Sequence, residues 1–284
     1  MGINMKVDSL AENLFFTTVR IDTVALSGGH GSGTGFLFGH KLAENRFAPF
    51  VVTNKHVVEG MQSGSLTFHQ RKEDQPNLGV GFRLDIGDWS KFWFGHPSPD
   101  VDIAIAPFLP LEAHIKKNNN VDLFYRYIGS DMLPTPEQEE QFDAIESVTF
   151  IGYPNGIWDS KNLLPVARRG TTASPMAVDF EGTPRFVIDA SVFGGSSGSP
   201  VFVLNQGMIT DKRGNSTIGS RALFVGVVAA VFFRTHLNQI IAVPVPTQTR
   251  PMVEQQEMID LGIVFKARTV VEAVEAFIKA RGTA

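Results

Sequence analysis

Cysteine is absent from the sequence. That absence excludes disulfide scaffolds, thiolate zinc sites, cysteine nucleophiles and thiol redox motifs together. A charge excess of either sign is also missing, since 25 Lys and Arg face 29 Asp and Glu for a formal net charge of −4. Proteins that grip nucleic acid through a broad basic face are not so balanced, and no nucleic-acid partner is expected. Long apolar runs are lacking too. The longest, Ala222 to Phe233, is interrupted by Gly226 and is too short to span a bilayer. The first 16 residues carry one lysine and no apolar core ahead of a small-residue cleavage site, and Lys6 stands where a myristoylation signal needs Ser or Thr. The expectation is a soluble, cytoplasmic chain with no membrane partner.

What is present is β-rich. Hydrophobic residues make up 43% of the chain, enough for a real core, and 27 glycines supply many turns. Short runs rich in Phe, Val, Ile and Thr, bounded by Gly, Pro, Asp or Ser, occupy Leu14–Leu26, Gly35–Phe38, Phe50–Thr53, Ser65–Arg71, Val80–Ile86, Lys91–Phe94 and Val101–Phe108. A polar stretch follows, with Lys116–Asn120 and Pro134–Gln141 at its heart. Strand-like runs resume at Ser147–Ile151, Leu163–Arg169, Arg185–Ile188, Pro200–Leu204, Leu223–Phe233 and Gln239–Val243. Such spacing favours antiparallel barrels over βαβ units. The expected organisation is a first β unit over 12–125, a linker over 126–146, a second β unit over 147–247 and a helical tail over 252–284. In that tail Val270, Val271, Val274, Phe277 and Ile278 mark one helix face. Thr269 with Glu272 reads as a capping box, and the helix is expected to pack on the second unit.

Three segments bear chemistry. The first, Val52–Val58, places His56 after a strand. The second, Pro99–Ile105, places Asp102 at the entry to an apolar strand, where a carboxylate is costly to bury unless hydrogen-bonded. The third, Phe193–Pro200, places Ser197 in a Gly-Ser run. Alone, each reads more simply as structure: a strand-end histidine, an edge aspartate, a loop. Together they supply a hydroxyl nucleophile, a general base and a carboxylate to fix the base's tautomer. Gly195 and Gly198 flank Ser197 and let backbone amides converge on a developing oxyanion. The Gly28–Gly35 run leads into strand-like Phe36–Phe38 rather than a helix, so no phosphate loop is read there. The other histidines lack metal-ligand spacing, and neither a metal nor a cofactor is expected.

Thr53-Asn54-Lys55-His56-Val57-Val58, Asp102-Ile103-Ala104 and Gly195-Ser196-Ser197-Gly198-Ser199-Pro200 resemble, in that order, the trypsin-like (chymotrypsin-fold) serine peptidases. The closest look is to the cysteine-free bacterial glutamyl endopeptidase and HtrA-type branches. Gly31-Ser32-Gly33-Thr34-Gly35 and Ile151-Gly152-Tyr153-Pro154 add to the likeness, which covers roughly residues 12–247. The resemblance implies an all-β fold of two antiparallel six-stranded β-barrels with a C-terminal α-helix. It implies a serine endopeptidase with Ser197 as nucleophile, His56 as base and Asp102 as orienting carboxylate, Asp100 being the rival for that last role. The amides of Gly195 and Ser197 would form the oxyanion hole. Ser191, Val228, Ala229 and Ala230 would line the primary substrate pocket. Trypsin-type enzymes carry Asp where Ser191 stands, and glutamyl endopeptidases carry His where Val228 stands. The pocket is therefore uncharged, which favours small or medium apolar residues before the scissile bond. Ser196 replaces the aspartate that pairs with a freed N-terminus in the trypsin branch, so zymogen activation of that kind is not expected. The paired glycines of Phe193-Gly194-Gly195 predict a mobile loop, ordered by the protein or peptide substrate or by a regulatory protein partner. A catalytically silent binding module of the same fold, and an esterase with the same residues, are the alternatives.

Overall fold

The structure, a computed structural model, describes residues 5–43, 46–239 and 252–282. The chain opens with a short helix α1 (Leu10–Phe15), fixed by a capping box in which Ser9 and Glu12 each satisfy the other's backbone amide. Strands β1 (Thr18–Ala25), β2 (His30–Ala43) and β3 (Arg46–Thr53) follow, then helical turn α2 (Lys55–Val58), β4 (Met61–Lys72) and β5 (Gln75–Ile86). After turn α3 (Trp89–Phe92) come β6 (Phe94–Gly95) and β7 (Ala104–Pro107), helix α4 (Leu109–Asn119), β8 (Leu123–Phe124) and β9 (Ile128–Gly129). These make a nine-stranded sheet in the order β5-β4-β1-β2-β3-β7-β6, with β8 on β4 and β9 on β2. Of the seven runs read in this half, the last two break into the end of a helical turn and two brief strands, and the two-residue strands β8 and β9 add pairing at 123–129, where no strand is read from the sequence.

The second half begins after the short helix α5 (Pro136–Glu139). It contains β10 (Ser147–Gly152), β11 (Val166–Thr172), β12 (Arg185–Asp189), β13 (Pro200–Asn205), the hairpin β14 (Met208–Thr210) and β15 (Ser216–Ile218), β16 (Arg221–Gln239) and β17 (Met252–Lys266), followed by helix α6 (Arg268–Gly282). Six of these strands close a barrel in the order β10-β11-β12-β17-β16-β13. Here the structure departs from the expected tail. Residues 252–266 are the closing strand of the barrel, paired with β12 from Leu261 to Phe265 and with β16 along their shared length. Gln239, where a further strand is expected to begin, is the last residue of β16, and the rest of that strand (240–243) and the boundary at 247 lie outside the described residues.

Alternation along the central strands builds two cores at once. On β2, Leu37 points into the first half with Val19, Ile21, Val51 and Leu66, while Phe36 and Phe38 point at the second half. On β3, Val51 faces inward and Phe50 and Val52 face the junction. That is the period-2 geometry of a strand buried on both faces. The junction core joins Phe36 and Phe38 to Phe202, Phe224, Val227 and Phe265, and Phe36 and Phe224 ring centroids lie 5.4 Å apart. A separate core of Phe150, Phe186, Ile188, Val201, Leu223 and Val264 fills the barrel.

Helix α6 packs differently from its expectation. Val270, Ala273 and Val274 belong to the junction core, and Phe277 meets both Phe50 and Phe94 edge-on. The helix thus braces both halves instead of the second alone. The capping box is absent as well. The helix starts at Arg268, so Thr269 lies inside its first turn and donates to the Lys266 carbonyl at 2.8 Å. Glu272 instead reaches across to His96, Oε2 to Nε2 at 3.2 Å. Among the described residues no helix is long and apolar enough to cross a membrane.

His69 on β4 sits under the first half's rim, its ring 5.0 Å from Phe16. Burial pushes its imidazole down to about 4, against a small upward pull from the Leu163 backbone. The folded protein therefore resists a proton that the unfolded chain accepts at the ordinary histidine value. That contribution is intact above about pH 6.5 and is lost as pH falls toward 4, by up to about 3 kcal/mol. Denaturant melts across this range should show the loss in the native chain and a flatter profile in His69→Phe.

Candidate active site

Strand pairing brings the first two segments together. Thr53 pairs with Ala104, so the antiparallel register sets Asp102 across from the turn that carries His56. Asn54, fully buried, caps that turn with no side-chain bond to it and spends its amide on the Asp102 backbone carbonyl, at 2.7 Å. The Asp102 carboxylate accepts twice from one residue. Its Oδ1 takes the His56 backbone N–H at 3.0 Å and its Oδ2 lies 2.6 Å from His56 Nδ1. A carboxylate can only accept, so Nδ1 carries the proton and donates. In that tautomer Nε2 is the ring's acceptor. Asp100 is exposed and makes no hydrogen bond to His56, which separates it from Asp102.

The third segment is a tight turn against the same strands. Gly195 and Gly198 adopt φ of +80° and +87°, in the left-handed region. A Cβ on Gly198 would stand 1.8 Å from the Thr34 carbonyl oxygen, so no other residue fits. The Thr34 N–H donates to the Ser197 carbonyl at 2.9 Å, and Gly198 N–H donates to Val228 at 2.8 Å. Of the three serines in the run, Ser196 and Ser199 are 1% and 0% exposed and their hydroxyls have no partner. Ser197 alone reaches solvent, with its Oγ donating to the Ala229 carbonyl at 3.3 Å. No hydrogen bond joins it to His56 in this arrangement among the described residues.

Peptide planarity orients the two amides expected to hold an oxyanion. The Gly194 carbonyl accepts from Asn155 N–H, and the Ser196 carbonyl accepts from Ser199 N–H at 3.0 Å. In a trans peptide the carbonyl and the next N–H point in opposite directions. The N–H groups of Gly195 and Ser197 are therefore turned away from the backbone that holds the turn, and neither donates to a protein acceptor among the described residues. Asn155 does this from a left-handed backbone, φ 49°, a conformation asparagine tolerates better than most.

Each residue of Phe193-Gly194-Gly195 makes a contact in this arrangement. Phe193 lies under the Arg168 guanidinium at 4.8 Å, and its carbonyl accepts from Ser196 N–H at 3.0 Å. Gly194 is held by Asn155, and the Gly195 carbonyl accepts from Thr34 Oγ1 at 2.9 Å. Gly195, at φ +80°, provides the turn geometry that these contacts hold.

The expected pocket residues divide. Ser191 is half-buried beside this loop and Ala230 is exposed, while Val228 and Ala229 are buried in the barrel and junction cores. The nearby charge is Arg168, whose guanidinium is held below its ordinary value chiefly by burial, against an opposing pull from Asp260. Sequence reading passed over Thr34, Asn54 and Asn155, although Thr34 and Asn54 lie inside motifs it had quoted.

A two-part β fold with a His–Asp pair on one half and an exposed serine turn on the other defines the chymotrypsin-like class of hydrolase scaffold. Residues 33–209, more than half of the chain and including all three of these residues, match the trypsin-like peptidase domain, and the chain belongs to that family. No curated protein matches it in sequence. Among solved structures it is similar to the Rv3671c protease of M. tuberculosis in its active form, at 17% identity and TM-score 0.44, over 92% of this chain and 81% of that one. It is also similar to a serine endoprotease from Yersinia pestis, at 12% identity and TM-score 0.49, over 98% and 68% of the two chains. A third likeness is the scabies mite inactivated protease paralogue S-I1, at 14% identity and TM-score 0.45, over 94% and 97%.

Gly198→Ala tests the turn. It forces a left-handed alanine and a clash with the Thr34 carbonyl, and should cost at least about 2 kcal/mol of stability. A lowered Tm, together with loss of any Ser197 reactivity, is the expected outcome.

Proposed function

We propose that the chain is a serine endopeptidase that cleaves peptide bonds through Ser197, His56 and Asp102. The observation that carries this reading is the double acceptance of His56 by Asp102, at 3.0 and 2.6 Å.

In this reading Ser197 Oγ leaves the Ala229 carbonyl by a turn about χ1 and gives its proton to His56 Nε2 as it attacks the scissile carbonyl. Asp102 stabilises the imidazolium that forms. The negative oxygen of the tetrahedral intermediate accepts from the N–H groups of Gly195 and Ser197, which supply charge stabilisation without reorganising. His56 then protonates the leaving amine. The acyl-enzyme on Ser197 is opened by water through the same groups in reverse.

The wall residues Ser191, Val228, Ala229 and Ala230 bring no charge, and the Arg168 guanidinium lies over the Phe193 ring. This supports a preference for small or medium apolar residues before the cut bond. The Ser197 to Ala229 hydrogen bond is the one observation that favours a silent binding module instead.

Kinetics on casein and on a peptide library decide between them. Cleavage after apolar residues is expected, falling on the order of 10⁶-fold in Ser197→Ala or His56→Ala and about 10⁴-fold in Asp102→Asn. No cleavage by the native chain, or undiminished cleavage by Ser197→Ala, contradicts the reading. A strong Glu, Lys or Arg preference contradicts the uncharged pocket.

A further inference from the structure

Thr34 is wholly buried on β2, far in sequence from the second half, and every polar atom it owns is engaged at the candidate site. Its N–H donates to the Ser197 carbonyl at 2.9 Å. Its hydroxyl donates to the Gly195 carbonyl at 2.9 Å and accepts the Tyr153 N–H at 3.0 Å. Its own carbonyl accepts from Thr53 Oγ1 at 2.7 Å, and Thr53 is the last residue of the strand that delivers His56.

We propose that Thr34 is a positioning residue for catalysis, holding the nucleophile turn and its oxyanion amides in register with His56 across the junction of the two halves. This rests on the serine-peptidase reading above. The hydroxyl clamps Gly195 from one side while Asn155 clamps Gly194 from the other. Between those two fixed carbonyls lies the Gly195 N–H, so its direction is set from both flanking peptides. The backbone of Thr34 sets the depth of the turn in the same way.

The glycines record the same constraint. A Cβ on Gly198 would meet the Thr34 carbonyl oxygen, and a Cβ on Gly152 would come within 2.5 Å of Thr34 Oγ1. Two second-half segments, one on each side, are thus pressed onto this one residue. A hydroxyl can donate once and still accept, which is what the two bonds require. Valine has the same shape and neither capacity. In its place the Gly195 carbonyl and the Tyr153 N–H would be left buried and unpaired, and the turn would shift to find partners.

The experiment compares native protein with Thr34→Val and Thr34→Ser, reading kcat and KM on a peptide substrate and the Ki of a peptide boronate that mimics the tetrahedral adduct. A shift of about 1 Å in oxyanion donors costs on the order of 10²-fold, so Thr34→Val should lose about that much in kcat. KM should stay within about 3-fold, because the substrate's ground-state contacts are elsewhere, and the boronate Ki should rise in step with the loss of kcat. Thr34→Ser, which keeps the hydroxyl, should recover to within about 5-fold of native. Should Thr34→Val not yield folded protein, Thr34→Ala removes the hydroxyl without adding an atom and carries the same expectation. Active native protein with native kcat in Thr34→Val overturns the positioning role and leaves the peptidase reading standing. So does an equal loss in Ser and Val variants, which makes the role one of packing alone. Native protein inert toward substrate and boronate overturns both.

Discussion

The backbone of β2 and the backbone of the serine turn touch without side chains between them. The Thr34 carbonyl sits where a Cβ of residue 198 would be, and the Thr34 N–H bonds to the Ser197 carbonyl. Everything else at the junction is arranged so that this approach can occur. Phe36 and Phe38, the next outward-facing residues of the same strand, bury themselves against Phe224 of the barrel and hold the two halves at contact distance. Helix α6 closes the far side, with Val270, Ala273, Val274 and Phe277 in the same junction core. A core of this kind is close-packed, so a displacement at one wall is felt at the other.

The proposed chemistry takes its geometry from that contact. His56 and Asp102 are fixed by strand register in the first half. The turn bearing Ser197 is fixed by β13 and β16 in the second. His56 and Asp102 lie in one half and Ser197 in the other, so the proposed triad depends on the junction for its alignment. The amides aimed outward at Gly195 and Ser197 need no side chain at all. They follow from peptide planarity once Asn155 and Ser199 have taken the carbonyls.

Much of this was legible in the sequence, and what was not has local physical reasons. The His, Asp and Ser segments could be read because each is a short motif whose residue types have few other uses together. Asp102 could be preferred over Asp100 on the same ground, and the structure adds the hydrogen bonds that one has and the other lacks. The closing strand at 252–266 escaped because its first half, Glu254 to Glu257, is polar and carries no alternating apolar signal. Helix α4 escaped because its polar end, Lys116 to Asn120, reads as linker, although Pro110 in its first turn and left-handed Asn120 after its last are regular helix boundaries. Thr269 and Glu272 had the spacing of a capping box, but the helix starts at Arg268, two residues too early for it. Thr34 could not have been found by pattern. Its partners at 53, 153, 195 and 197 are neighbours only in the folded chain, and a threonine in a glycine-rich strand has no signature of its own.

The central claim is that one serine, activated by the His56–Asp102 pair, is the reacting group. It is tested most directly by treating the protein with a fluorophosphonate and locating the adduct by peptide mass mapping. The account predicts a single adduct on Ser197, none on Ser196 or Ser199, and its disappearance on the same timescale in His56→Ala. An adduct on another residue, no adduct on the native chain, or equal labelling in the histidine variant would contradict it.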